Sequence, residues 1–311
     1  MMNHLLLATL AAVSSAVPTC SELPAGDFKD PRYWGDVFLD KYAAERAAAT
    51  TQIEEGPPPL EEPRTVLLIT GVTIPGEWFE PIVARLERDG FRPVVYEPPD
   101  LLSGDLFENS VLLGEEIARI RAETGEAKID ILAECTGGLI ARHYIQSLGG
   151  DQYVSRMVTF ISPQHGLPKA AWAHDLVGWP ALEDLTPGSD FLDAVNNAPM
   201  APNVPVTSIY TCSDEYIQPY KTSIIPGATN IALGCDRFVG HYQFFYDPEI
   251  YLVMHDALTK PTGEEPKDDE PAPAPDETEA EADAGGCNAG GSTEASLLVL
   301  VGLALVRRRR R

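Results

Sequence analysis

Between Thr65 and Leu258, short apolar runs alternate with segments of helical periodicity, and this alternation restricts the chain more than any other feature. Thr65–Thr70 (TVLLIT), Pro93–Tyr96, Ile129–Ala133, Met157–Ile161 and Val206–Thr211 read as strands. Trp78–Arg88, Asn109–Thr124, Gly137–Leu148 and Pro248–Leu258 read as helices, and in the second of these Leu113, Ile117 and Ile120 share one face. Apolar strands separated by helices favour a parallel sheet covered on both sides. The expectation is an α/β fold, mostly parallel, flanked by helices. The rhythm breaks from Gly166 to Pro205, a long proline-rich insertion carrying Trp172, Leu176, Trp179 and Leu182. Such an insertion either roofs an active site as a lid or forms a satellite apolar cluster.

The ends read differently. Leu5–Val17 is a short apolar run whose Ser14-Ser15-Ala16 offers small residues at signal-peptidase spacing, so residues 1–16 are expected to be a secretory signal. Residues 17–62 form an N-terminal arm, with helical character over Tyr33–Ala48 before the breaker GPPPLEEP. Residues 261–286 are acidic and proline-rich; they hold too little apolar surface to offset ordering entropy and read as a linker. From 287 to 311 come Cys287, the apolar run Ala295–Val306 and five arginines. That run makes a helix of about 18 Å against a hydrocarbon core of ~30 Å, a weak span with a basic cytoplasmic end. The order Gly-Cys, short apolar helix, arginine cluster resembles a myxobacterial-type C-terminal sorting tail (MYXO-CTERM). The resemblance implies export and sorting machinery acting near Cys287, with a surface-retained chain that meets the membrane through its tail.

Charge excludes one class of partner. The chain of 311 residues carries 47 acidic and 23 basic side chains, a formal net charge of −24. A nucleic-acid binder needs a basic footprint, so nucleic acid is not expected as a partner. No CxxC, HExxH or paired-histidine spacing occurs, and Asp268-Asp269-Glu270 lacks the glycine turn of a calcium loop. Neither a metal nor a cofactor is therefore expected.

The sharpest local signal is IDILAECTGGLIARHYI. A strand ends at Ala133, Glu134-Cys135-Thr136 turns, and Gly137-Gly138 opens a helix. Small residues two before and two after Cys135 match the nucleophile elbow, with Cys where Ser is usual. The helix N-terminus would favour a thiolate and present the Thr136 N–H to an oxyanion. Taken alone, the segment is equally compatible with a buried cysteine in an ordinary turn. An elbow nucleophile needs an acid and then a histidine in chain order. Asp214 follows the strand PVTSIY, and His241 lies on a later loop before the last helix. His165 is the rival base, but it precedes Asp214. The glycine-containing loop after TVLLIT can offer the Val72 N–H as a second oxyanion donor. Cys212 and Cys235 bracket Asp214, and a disulfide between them would brace the acid and base loops.

LLITGV, AECTGG, SPQHG, PGSDFLDAVN, TSIYTCSDEYIQP and VGHYQFFYDPEIY resemble α/β-hydrolases of the bacterial class 2 lipase type. SDEYIQP also resembles the acid segment of the fungal lipase B group. The resemblance implies an α/β-hydrolase domain over residues 63–260 and a secreted ester hydrolase acting on lipid or other hydrophobic esters. It places Cys135 as nucleophile, Asp214 as acid, His241 as base, and Val72 and Thr136 as oxyanion donors. Trp172, Leu176 and Trp179 are candidates to line the acyl site. Because those lipases use Ser, the cysteine leaves three outcomes: a thiol hydrolase, an acyltransferase exploiting the thioester, or a catalytically dead lipase frame serving as a surface binding protein.

Overall fold

A computed structural model describes Ala43, Ala44, Arg46, Ala47 and residues 56–235 and 239–261. The expected signal segment, most of the arm, the acidic linker beyond 261 and the tail lie outside the described residues, with Cys20 and Cys287. Ala43, Ala44, Arg46 and Ala47 are helical, within the segment read as the arm helix, and Arg46 pairs with Glu80. Among the described residues, no helix is long and apolar enough to cross a membrane.

The strands are β1 (Thr65–Ile69), β2 (Arg92–Tyr96), β3 (Ile129–Glu134), β4 (Val154–Phe160), β5 (Val206–Thr211) and β6 (Thr229–Leu233). They form one sheet in the order β2-β1-β3-β4-β5-β6, and every neighbouring pair is parallel. The helices are α1 (Glu80–Arg88), α2 (Leu106–Thr124), α3 (Thr136–Ser147), α4 (Ala170–Val177), α5 (Pro180–Asp184), α6 (Asp190–Asn197) and α7 (Pro248–Thr259). Central β1 and β3 are buried along their whole length, so apolar residues run without alternation over Val66–Ile69 and Ile131–Ala133. The edge strands β2 and β6 are half-exposed, and Pro93 is tolerated on β2 because an edge strand needs fewer donors. β6 escapes the sequence reading because TNIAL is short and only half apolar.

Alternate residues of each strand face opposite layers. Leu67, Ile69, Ile131 and Ala133 pack with α2, α3 and the insertion helices. Val66, Leu68, Leu132, Val158 and Phe160 pack with α1 and α7. Helix ends carry the expected signals. The Asp105 carboxylate accepts the Glu108 N–H at 2.8 Å at the start of α2, and Gly125 closes it at φ 74°. Asp247 caps α7 ahead of Pro248.

The sheet order reverses at β1: one crossover leads outward to β2, the next back to β3 on the other side. In open α/β sheets, the crevice at the carboxyl ends of such strands is where ligands bind. The opposite, amino edge is closed by charge. Asp130, buried at the start of β3, lies 3.4 Å from Arg156 Nε and 3.5 Å from Arg64 Nη2.

The insertion is ordered into α4, α5 and α6, and the Arg142 guanidinium, with Gln146, ties α6 to α3. Arg142 on α3 is nearly fully buried and donates to Gln164 Oε1 (2.9 Å), the Val195 carbonyl (3.2 Å), Asn196 Oδ1 (3.3 Å) and Gln146 Oε1 (2.9 Å). Burial lowers its pKa to about 10, which leaves it charged at neutral pH. Arg142→Met keeps the apolar stem but strands these acceptors, at a cost of about 1–3 kcal/mol. The expected result is a lower denaturation midpoint with faster amide exchange over residues 190–197, read by hydrogen exchange.

Candidate active site

Four loops leaving the carboxyl edge of the sheet converge on Cys135. Glu134 is the last residue of β3 and Thr136 the first of α3, so Cys135 alone turns the chain, at φ 48° and ψ −124°. Its N–H donates to the Phe160 carbonyl (3.0 Å), and its own carbonyl accepts the Gly138 N–H (3.0 Å) and the Ser162 hydroxyl (2.5 Å). Gln164 Nε2 donates to Ser162 Oγ at 2.7 Å, fixing that hydroxyl. A Cβ on Gly137 would sit 2.8 Å from the Thr70 carbonyl and 2.9 Å from that of Ile69, so it is β1 that demands glycine there.

The loops after β5 and β6 bring Asp214 and His241 together. His241 Nδ1 lies 2.9 Å from Asp214 Oδ2 and 3.2 Å from Oδ1. Oδ1 also accepts the N–H groups of Tyr216 (2.8 Å) and Ile217 (2.7 Å), so the carboxylate is held from three sides. Cys212 and Cys235 form a disulfide, Cα–Cα 4.9 Å, and Thr211 Oγ1 donates to the Val239 carbonyl at 2.7 Å. Acid and base loops are thus cross-linked to each other. Cys135 is the one free cysteine among the described residues.

The loop after β1 is gripped by Glu134. The Gly71 N–H donates to Glu134 Oε2 at 2.6 Å, and a Cβ on Gly71 would lie 2.4 Å from that oxygen. Thr73, at φ 65°, donates its N–H to the Leu101 carbonyl at 2.8 Å. Leu101 itself lies in a left-handed turn, with Asp100, Leu101 and Leu102 at φ 50°, 52° and 57°. Among the described residues, the N–H groups of Val72 and Thr136 have no internal acceptor. Non-glycine residues with positive φ are Thr73, Asp100, Leu101, Leu102, Cys135 and Ile161, and each follows the carboxyl end of β1, β2, β3 or β4.

Two carboxylates face the imidazole of His241, and a third holds its backbone. Glu134 Oε1 lies 3.6 Å from His241 Nε2, Asp214 holds Nδ1, and Glu215 Oε2 accepts the His241 backbone N–H at 2.8 Å. Burial alone would lower the His241 pKa, but the charge and hydrogen bond of Asp214, joined by Cys135 and Glu134, hold it well above the ordinary value. Burial, then the Glu134 charge, pushes the Cys135 thiol up. Burial also raises the Glu134 carboxyl, and burial with the Asp214 charge pushes Glu215 up to about 7. The thiolate expected from the helix N-terminus is therefore opposed by burial and by Glu134. The aromatic rings of Tyr216 and Tyr242 close the other sides of His241, at centroid distances of 5.1 and 5.7 Å.

Cys135 Sγ, a Glu134 carboxylate oxygen and a His241 ring nitrogen lie within 4.8 Å of one another, a donor set compatible with a cation. Motif spacing could not show it, because the residues come from distant parts of the chain. Glu215 and Ser162 also carry no signal beyond adjacency to Asp214 and Pro163. The rival His165 is engaged elsewhere, with Nε2 3.0 Å from the Ile224 carbonyl. Trp172 and Leu176 are 43% and 55% exposed on α4, whereas Trp179 packs against the apolar cluster that Cys135 also touches.

This arrangement of a parallel sheet, a positive-φ elbow and an acid–histidine pair on later loops has the α/β-hydrolase fold. The chain is 27% identical to Lipase B of Pseudozyma antarctica over 217 residues, covering 68% of this chain and 60% of that protein. The match thus spans less than two thirds of that relative's length. Among solved structures it is similar to Aspergillus fumigatus lipase B, with TM-score 0.59 and 18% identity over 78% of this chain and 63% of that one. It is also similar to the mature form of the Bacillus licheniformis lipase BlEst2, with TM-score 0.52 and 16% identity over 65% and 96%. No protein-family model matches the sequence.

The carboxylates around His241 make a signed expectation. A raised imidazole pKa keeps His241 protonated, and so unable to accept a proton, until the pH passes that value. Glu134→Gln removes one charge favouring the imidazolium and one raising the thiol, so both values fall. Any reaction requiring neutral His241 should then reach its plateau at lower pH in the variant, read from a pH–rate profile in metal-free buffer.

Proposed function

We propose that this chain is a carboxylic ester hydrolase acting on lipid or other hydrophobic esters through Cys135, His241 and Asp214. The observation carrying this reading is the Asp214–His241 hydrogen bond, placed beside a cysteine on a positive-φ elbow. The names of the relatives support ester hydrolysis, and the unclaimed N–H groups of Val72 and Thr136 support an oxyanion site.

In the first step, which starts from His241 in its neutral form, Cys135 Sγ attacks the ester carbonyl carbon while the thiol proton passes to His241 Nε2. Asp214 holds Nδ1–H and offsets the imidazolium charge. The carbonyl oxygen becomes an oxyanion between the Val72 and Thr136 N–H groups. Collapse breaks the carbon–oxygen bond; the alkoxide takes the proton from Nε2, and a thioester remains on Cys135. Water then attacks the thioester, giving one proton to His241, and the second collapse returns that proton to sulfur and releases the acid. Gly71 and Glu134 set the position of the Val72 loop. The same reading places the chain outside the cytoplasm and held at the surface by its tail, and the Cys212–Cys235 disulfide supports an oxidising compartment.

Hydrolysis of p-nitrophenyl esters of graded chain length tests the assignment. Cys135→Ala and His241→Ala should each lower kcat by at least about 1,000-fold. Intact mass of the wild type after rapid quenching should show one acyl adduct, absent in Cys135→Ala. Hydrolysis unchanged in Cys135→Ala overturns the nucleophile. An adduct resolved faster by an alcohol than by water replaces hydrolase with acyltransferase, and lipid binding with no turnover leaves a binding protein.

The exposed pair Trp172 and Leu176, one helical turn apart on α4, supplies apolar surface for the acyl chain in this reading. Replacing both by Ser should raise KM for long-chain esters several-fold while leaving acetyl esters unaffected, measured by steady-state kinetics.

A further inference from the structure

We propose that Cys135, His241 and Glu134 form a binding site for a thiophilic divalent cation of the zinc type, which masks the nucleophile when occupied. The binding claim rests on geometry alone; its effect on activity rests on the proposed role of Cys135.

The donor set has the composition of a three-ligand zinc site: one sulfur, one imidazole nitrogen and one carboxylate oxygen. Two nitrogen or oxygen ligands roughly 2.0–2.2 Å from a tetrahedral zinc lie about 3.4 Å apart. Glu134 Oε1 and His241 Nε2 are 3.6 Å apart, and Sγ belongs to the same group of atoms within 4.8 Å. The sulfur, within 4.8 Å of both, would close by up to about 1 Å around an ion.

A second observation points to a ligand. Glu134 is fully buried, yet its Oε1 makes no hydrogen bond, while Oε2 accepts the Gly71 N–H. A buried carboxylate oxygen without a donor is costly, and here it faces the imidazole. Supporting contacts around a metal ligand are also in place. Asp214 holds His241 Nδ1 at 2.9 Å, which leaves Nε2 as the coordinating nitrogen, and Gly71 fixes the Glu134 carboxylate.

Coordination displaces the thiol proton and the Nε2 proton to solvent, while Nδ1–H stays on Asp214. No bond to carbon forms and nothing is oxidised or reduced. The bound thiolate cannot attack an ester, and it is shielded from oxidation.

The test uses the full chain, dialysed against chelator with its disulfide intact, and titrated with Co²⁺ and then Zn²⁺. The wild type should bind one Co²⁺ with a thiolate-to-cobalt charge-transfer band and tetrahedral visible bands, both lost on Zn²⁺ addition. The charge-transfer band should vanish in Cys135→Ser, and Glu134→Gln should weaken Zn²⁺ binding at least about tenfold. Without any variant, Zn²⁺ should slow alkylation of Cys135 by iodoacetamide, mapped by peptide mass. Ester hydrolysis should fall with Zn²⁺ and return with chelator. No stoichiometric cobalt band, or alkylation of Cys135 unaffected by Zn²⁺, overturns the site; hydrolysis that rises with Zn²⁺ overturns masking. The two proposals separate cleanly. A chain that hydrolyses esters in chelator but binds no Co²⁺ keeps its hydrolase reading and loses this one. A chain that binds Co²⁺ through Cys135 but hydrolyses nothing does the reverse.

Discussion

Everything at the carboxyl edge depends on one residue held in an unfavourable backbone conformation. Cys135 adopts a positive φ that costs a non-glycine residue of order 1–3 kcal/mol, and it does so because its surroundings leave no alternative. Its N–H is fixed to β4, its carbonyl to Ser162, and α3 begins at the next residue, pressed against β1 through Gly137. The turn lifts one side chain out of the buried sheet into the crevice where the sheet order reverses. The insertion and the disulfide-linked loops are arranged around that point.

Electrostatics shape what the cysteine can do there. A thiol at a helix N-terminus is ordinarily inclined to ionise. Here burial and Glu134 act the other way, while Asp214 and Glu134 keep the imidazole charged. Glu134 has two opposed duties, since one oxygen holds the Gly71 loop and the other faces His241. Removing it would therefore alter both the shape and the charge of the site. The centre is built for proton transfer within a negatively charged pocket rather than around a pre-formed thiolate.

Much of this was legible in the sequence. β1, β3, β4 and β5 are apolar enough to announce themselves, and the helices carry both periodicity and caps. The chain order of Cys135, Asp214 and His241 pointed to three residues that the fold brings together, and the disulfide partners followed from their bracketing of Asp214. What stayed hidden has physical reasons. β6 is a half-wetted edge strand with no continuous apolar run. The insertion's last short helix is held by Arg142, whose partners lie on other elements. The donor cluster joins Glu134 and Cys135 to a histidine on another loop, and no local spacing encodes it. The demand for glycine at 137 comes partly from packing against the end of β1, which a motif does not show.

The positive-φ residues give the molecule two unequal ends. All six non-glycine examples among the described residues follow strand carboxyl ends, whereas the amino edge is locked by Asp130 with Arg156 and Arg64. The molecule therefore has a relaxed base and a tensioned rim. Substitutions that ease the rim, such as glycine at 101 or 102, relieve backbone strain by loosening the turn that holds Thr73. Thermal hardening of this protein belongs at the base, where added stability leaves the geometry of the crevice untouched.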